Sequence, residues 1–165
     1  MGITPPALYG AYGDKKRLFL EAVARYEQTA GCFAQKALVE ESTAESAMQR
    51  LLHGAVESFT RHRKPKGCLV VLGAINCTAE SGEIYEALAE RRQNAEKFVR
   101  TRIAAGRMAG ELASDADVDA LAGMVTATLY GLAIKAKDGV SRAQLHKIVD
   151  QVMRTWPGRK ERSKP

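Results

Sequence analysis

The strongest constraint on the fold lies at the start of the chain, where a very short helix precedes a tight turn and a long helix. Thr4 is a good N-cap, and a proline fits the first helical turn because no backbone donor is needed there. Gly13 suits the left-handed position that ends a helix, and Asp14 caps the next one. A helix this short cannot bury its apolar face alone, so it must pack against other elements.

Eight residues of this opening stand at fixed spacing: Thr4, Leu8, Tyr9, Tyr12, Asp14, Lys15, Leu18 and Phe19. The spacing resembles the recognition helix and the start of the following helix in the tetracycline-repressor (TetR) family of bacterial transcription regulators. Tyr12 stands where the family usually has Phe. The alternative is an ordinary helical hairpin with Tyr9 and Tyr12 as core aromatics. The family is favoured because the rest of the chain also fits it.

The resemblance implies a helix-turn-helix whose short helix enters the major groove of DNA, and a dimer that spaces two copies one helical turn apart. The implied DNA-binding set is Thr4, Pro6, Ala7, Tyr9, Tyr12 and Lys15. By matching positions, Tyr9 and Lys15 contact phosphates, while Thr4, Pro6 and Ala7 lie nearest the groove. No Arg, Asn or Gln stands in the short helix, so methyl contacts or DNA shape must carry more of the readout.

Members of this family carry two further helices ahead of the recognition helix. We therefore expect Met1 to be an internal methionine of a longer protein. The expected organisation is a partial helix-turn-helix over residues 1–30, a regulatory and dimerisation domain over 31–156, and a basic tail over 157–165.

Composition fits an all-α protein of this kind. The chain has 165 residues and 45% hydrophobic content, which suffices for one core. Its net charge of +6 suits an anionic partner such as DNA, although many proteins are mildly basic. No signal peptide is visible, and no stretch approaches the length needed to cross a membrane. Three widely spaced cysteines fit the reducing cytoplasm, which is the expected location.

Helix signals follow one another along the rest of the chain. A helix from Asp14 runs toward Val39, with Gly31 as a weak point. A capping box over residues 42–45 begins the next helix. The apolar stretch 68–75 fits a buried strand or a buried helix, and the neighbouring helices favour a helix. A charged helix then runs from Ser81 to near Gly106.

The helix predicted from Asp117 to Lys137 has apolar residues on two opposite sides. One side holds larger residues such as Val118 and Leu132. The other is mostly small: Ala120, Gly123, Ala127, Gly131 and Ile134. A helix that is apolar on two sides is covered on two sides, so we expect the small-residue side to contact a second copy of the chain. A last helix, opened by Ser141 and stopped by Pro157, joins it in the implied four-helix interface.

The effector expected from the family resemblance is a small apolar or amphipathic molecule bound among the helices that begin near residues 42, 68 and 81. The predicted lining is Met48, Leu52, Phe59, Leu72, Asn76 and Phe98. Each apolar member could equally be ordinary core.

Enzymatic and metal chemistry receive little support from the sequence. His53, His62 and His146 have no partner at ligand spacing, so the sequence predicts no metal site, no catalytic residue and no cofactor, and leaves His53 exposed. The functional prediction is a ligand-responsive repressor. The alternatives are a dimeric ligand-binding module that no longer binds DNA, and a small helical enzyme with an unrecognised site.

Overall fold

The computed structural model describes Gly10, residues 12–75 and residues 82–158 of the chain. In these residues the secondary structure is entirely helical, which confirms the all-α prediction. The helices are α1 (Lys15–Thr29), α2 (Cys32–Glu40), α3 (Ala44–Phe59), α4 (Leu69–Ile75), α5 (Gly82–Met108), α6 (Val118–Lys137) and α7 (Arg142–Met153).

Helix α3 lies at the centre of the bundle. It packs against α2, α5, α6 and α7, and eight of its sixteen residues are buried. The largest of these side chains are Met48, Leu51, Leu52 and Phe59, each no more than 2% exposed. A helix with neighbours on several sides needs a wide apolar surface, and α3 supplies it.

Two helix boundaries differ from the sequence prediction. The helix expected to run from Asp14 to Val39 is two helices, because the chain breaks at Ala30 and Gly31. An added Cβ at Gly31 would stand only 3.0 Å from the carbonyl oxygen of Glu27, so this tight break suits glycine. The capping box of α3 is shifted by one residue: Thr43 is the N-cap, and its partner is Ser46.

The remaining predicted helices are close to their expected positions. The apolar stretch after Cys68 is helical. Asp117 and Ser141 cap α6 and α7 by accepting hydrogen bonds from the backbone of Ala120 and Gln144. Helix α7 ends at Met153, before the predicted stop at Pro157.

Helix α6 also corrects the expectation that no stretch is long enough to cross a membrane. By length and composition alone, its twenty residues meet the minimum for such a span. The core helix of a water-soluble bundle can meet the same minimum. Seven residues of α6 are buried, and the helix packs against α3, α4, α5 and α7.

The end of α5 is built around a close contact with the start of α3. The carboxylate of Glu111 accepts a hydrogen bond of 2.6 Å from the backbone N–H of Ala44, the first residue of α3. Gly106 lies against both: an added Cβ would stand 2.6 Å from the Ala44 Cβ and 2.7 Å from the Glu111 Oε2. The absence of a side chain at Gly106 therefore allows Glu111 to cap α3.

We expect Gly106→Ala to lower the free energy of unfolding by about 1–3 kcal/mol, because the added methyl group overpacks this contact. In an unobstructed helical position, alanine would instead raise the free energy of unfolding by up to about 1 kcal/mol relative to glycine. Gly82→Ala is the control, since an added Cβ there meets open space. Urea denaturation at a fixed chain concentration measures both variants. A Gly106→Ala variant as stable as the parent protein would contradict this account.

Candidate functional site

The segment predicted to contact DNA is described only in part. Thr4, Pro6, Ala7 and Tyr9 lie outside the described residues. The side chain of Tyr12 is 38% exposed, and Lys15 is an exposed first residue of α1.

The turn before α1 has the conformation that the sequence predicts. Gly13 adopts a φ of 83°, in the left-handed region, and Asp14 Oδ1 accepts a hydrogen bond of 2.7 Å from the backbone N–H of Arg17. The start of α1 therefore presents an exposed lysine at a capped helix N-terminus, where the helix dipole favours an anion.

Helix α1 is tied to α5 by two ion pairs. Lys16 pairs with Glu83 near the start of α1, and Arg91 Nε lies 3.2 Å from Glu27 Oε2 near its end. The chain break after α1 is held as well, because the hydroxyl of Ser58 on α3 donates a hydrogen bond of 2.9 Å to the carbonyl of Ala30.

A cavity of about 870 Å³ lies between these helices. Its walls come from α1 to α6, with the largest contributions from α2 and α5. Most of the wall is apolar or aromatic, including the side chains of Phe33, Leu38, Leu51, Phe59 and Leu129. A concave, mostly apolar cavity of this size suits a small organic ligand.

Most polar groups of the cavity wall already have protein partners. Tyr130 donates its hydroxyl hydrogen to the carbonyl of Arg92 at 3.2 Å, and Arg92 itself donates to the carbonyl of Val70. Burial raises the pKa of Tyr130 and of Tyr26, and the neighbouring Cys68 raises that of Tyr26 further. Both phenols are therefore neutral at physiological pH, and they present the cavity with hydroxyl groups rather than charges.

The structure brings only some of the predicted pocket residues to this cavity. Phe59 and Phe98 line it, while Asn76 lies outside the described residues. Met48 and Leu52 are not part of the wall, because both are completely buried in the core around α3. Leu72 is also absent from the wall, and its side chain packs over the turn at Gly67.

Sequence reasoning missed the polar side of the cavity. Tyr26, Arg91 and Tyr130 come from three different helices, so no local spacing connects them. The sequence signal for this side is a set of isolated polar residues beside the apolar stripes of these helices. Such residues alone do not identify a binding site.

The expectation that His53 is exposed is wrong, and the structure brings two of the three histidines together. His53 on α3 and His146 on α7 are in contact, with their Nδ1 atoms 2.7 Å apart. His53 is partly buried rather than exposed, and His62 lies exposed in the loop after α3. The contact joins two helices that are 93 residues apart in sequence, so it was not visible as a spacing.

The small-residue side of α6 is uncovered in the single chain. Ala120 and Ala127 are exposed, and Ile134 is 40% exposed. An added Cβ at Gly123 or Gly131 would meet nothing within 4 Å. The opposite side of the helix is buried at Val118, Val125 and Leu132, so only one of the two predicted apolar sides is covered.

The fold and cavity are those of a helical bundle with space for a small ligand. Residues 44–151 match the family model of the tetracyclin repressor-like C-terminal domain. The chain belongs to the tetracycline-repressor family of transcription regulators. Members of this family are transcription factors rather than enzymes, which confirms the regulator prediction over the enzyme alternative.

Relatives with known sequences and structures agree with this assignment. The chain is 27% identical to the HTH-type transcriptional repressor ComR of Escherichia coli strain K12, over 94% of this chain and 75% of the relative. It is similar to a cysteine mutant of the TetR family transcriptional regulator CifR complexed with a 26-base-pair operator DNA. That match has a TM-score of 0.89 and 38% identity, over 94% of this chain and 81% of the other. A putative TetR transcriptional regulator from Rhodococcus sp. RHA1 matches with a TM-score of 0.70 and 33% identity, over 95% of this chain and 84% of the other.

Phe59 and Phe98, two of the phenylalanines of the cavity wall, should contribute very differently to stability. Phe59 is 1% exposed and packs edge-to-face on Phe33, with ring centroids 6.2 Å apart, whereas Phe98 is 67% exposed. We expect Phe59→Ala to cost about 3–5 kcal/mol of unfolding free energy. The unfolding free energy of Phe98→Ala should stay within about 0.5 kcal/mol of that of the parent protein. Chemical denaturation measures both, and equal losses would show that Phe98 is not at an open cavity mouth.

Proposed function

We propose that the protein is a cytoplasmic transcriptional repressor that binds operator DNA as a homodimer and releases it when a small molecule enters the cavity. The observation that carries the proposal is the cavity itself, which reaches α1, the helix that begins at Lys15. The operator complex of CifR and the repressor name of ComR support the DNA-binding part, since this chain resembles both over most of its length.

Contact with the DNA backbone is assigned to Lys15, together with Tyr9, which lies outside the described residues. Lys15 is exposed and follows a capped turn, where a phosphate would meet both its ammonium group and the positive end of the α1 dipole. In this role Lys15 fixes the position of the protein on DNA and reads no bases.

We expect Lys15→Ala to weaken binding of operator and random DNA alike. The slope of the log–log salt dependence should fall by roughly one unit per subunit, because one fewer counterion is released. The measurement uses the protein expressed from its complete reading frame and fluorescence anisotropy of a labelled duplex at several salt concentrations. Lys137→Ala removes an exposed lysine at the end of α6 and is the control. If the slope of the salt dependence were unchanged and the preference among duplex sequences altered, Lys15 would read bases rather than contact phosphate.

The homodimer is assigned to the uncovered side of α6, together with α7. Glycine and alanine at Gly123, Ala127 and Gly131 would let two α6 helices approach closely, as small residues do wherever helices are in near contact. Helix α7 packs beside α6, so two copies of the pair form a four-helix interface.

A glutamate on this face should break the dimer. Gly123→Glu or Ala127→Glu would bury an uncompensated charge, which costs about 3–5 kcal/mol and raises the dissociation constant by about two orders of magnitude or more. Sedimentation velocity should then show monomers, with helix content retained. Ala22→Glu, on an exposed position of α1, is the control and should remain dimeric. Dimers of normal affinity in both α6 variants would place the interface elsewhere.

The effector is a small apolar or amphipathic molecule held in the cavity. The apolar wall would supply most of the binding free energy, and the hydroxyl groups of Tyr26 and Tyr130 would orient one polar end. Because Tyr26 and Glu27 belong to α1, an occupant of the cavity would contact the helix that carries Lys15.

Anilinonaphthalene sulfonate, an amphipathic dye, is a suitable probe of this cavity. We expect Ala34→Trp to lower its affinity by about tenfold or more, because the indole fills space that the dye needs. Ala22→Trp, on the exposed surface of α1, should bind the dye normally. Dye fluorescence titration measures both, and equal affinities in the two variants would show that the dye binds outside the cavity.

A further inference from the structure

The described wall of the cavity contains four charged side chains, Glu27, Glu90, Arg91 and Arg92, and they are not equivalent. Glu27 and Arg91 form an ion pair, with Arg91 Nε 3.2 Å from Glu27 Oε2, so their charges offset each other. Glu90 is exposed on α5, where water and salt screen its charge. Arg92 is half-buried, so a ligand in the cavity would meet its charge with less screening.

The guanidinium of Arg92 has no carboxylate partner among the residues that the structure describes. It contacts neutral groups instead: Nη1 donates a hydrogen bond of 3.2 Å to the carbonyl of Val70, and Cζ lies 5.9 Å from the ring centroid of Tyr85. Glu96, one turn further along α5, accepts a hydrogen bond of 3.3 Å from the hydroxyl of Thr126. Because a guanidinium has five N–H donors, most of those of Arg92 remain available to a ligand.

The wall around this charge is apolar and comes from other helices. Val71 of α4 and Leu129 of α6 line the same cavity as Arg92. Phe33 of α2 and Phe59 of α3 meet there edge to face, with ring centroids 6.2 Å apart. A cavity of about 870 Å³ with one uncompensated cation in an apolar wall matches a molecule that has an apolar body and one anionic end.

We propose that the cavity selects an amphipathic organic carboxylate, and that Arg92 binds the carboxylate group. A carboxylate accepts two parallel hydrogen bonds from one guanidinium, and such charge-assisted bonds are stronger than bonds between neutral groups. The phenols of Tyr26 and Tyr130 are neutral because burial raises their pKa, so neither repels the anion. The assignment rests on the proposed function of the cavity and names the class of its effector.

A cationic ligand fits the same wall less well. To pair with Glu27 it would have to displace Arg91 from an existing ion pair, while the charge of Arg92 repelled it. Pairing with Glu90 would contribute little, because ion pairs between exposed groups are weak in water. The charges of the wall therefore favour an anion.

The test compares naphthoate with naphthamide, its neutral isostere, by isothermal titration calorimetry of the full chain at neutral pH. The two ligands share their apolar rings and differ in charge. We expect the parent protein to bind naphthoate about tenfold or more tightly than naphthamide, because hydrogen bonds to a charged group contribute more than neutral ones. Arg92→Gln should weaken naphthoate binding by a similar factor and change naphthamide binding by no more than about twofold.

Arg107→Gln is the matched control for the loss of charge. Arg107 belongs to the same helix, and its guanidinium also donates a hydrogen bond to a backbone carbonyl, that of Ala116, at 3.1 Å. It lies outside the cavity wall, so this variant should bind both ligands normally. Arg92→Lys keeps the charge and loses the planar fork of donors. Its affinity for naphthoate should lie between those of Arg92→Gln and the parent protein.

The outcomes separate this assignment from the proposed function. If Ala34→Trp weakens both ligands and the parent protein binds them equally, the cavity takes small molecules and the role of Arg92 is wrong. If Ala34→Trp leaves both affinities unchanged, the ligands bind outside the cavity, and the proposed effector site fails together with the assignment. No saturable naphthoate binding would also overturn the assignment. The comparison of the two ligands in the parent protein decides the matter even if Arg92→Gln does not fold.

Discussion

The burial of α3 is the constraint on which the rest of the structure depends. Four other helices pack around it, and half of its residues are inaccessible to solvent. Its first residue is capped by Glu111 from the loop after α5, and its last residue, Phe59, forms part of the cavity wall. A shift of α3 would therefore alter the cavity, the end of α5 and the contact with α7 together. Close-packed interiors transmit such shifts because they have no space to absorb them.

Two other helices each connect two of the proposed functions. Helix α1 carries Lys15 at its start and Tyr26 near its end, so one rigid element reaches from the turn proposed to contact DNA to the cavity. At about 1.5 Å per residue, their separation of about eleven residues spans roughly 16–17 Å. Helix α6 contributes Thr126 and Tyr130 to the cavity and presents its small residues on the uncovered side. A ligand in the cavity would thus contact both the helix proposed to carry the DNA contact and the helix proposed to join the subunits.

The sequence predicted helices well and the cavity only partly. Asp14, Asp117 and Ser141 identified their helix starts because capping is a local interaction between neighbouring residues. The apolar stripe of α3 does not show which of its residues line the cavity and which lie in the core. Phe59 borders the cavity, whereas Met48 and Leu52 are equally apolar and lie in the core. The contact between His53 and His146 depends on the packing of two distant helices. The matching spacing of His53 with Glu57 and His146 with Asp150 was its only local trace.

Selection of bound duplexes from a randomised DNA library tests the central claim most directly, which is that this chain is a dimeric, operator-specific regulator. The protein expressed from its complete reading frame should enrich a palindrome whose half-sites are centred about 34–36 Å apart along the duplex, or a multiple of this spacing. The spacing follows from two recognition helices related by the two-fold axis of the dimer. Enrichment of a single asymmetric half-site, or of no sequence at all, would contradict the account.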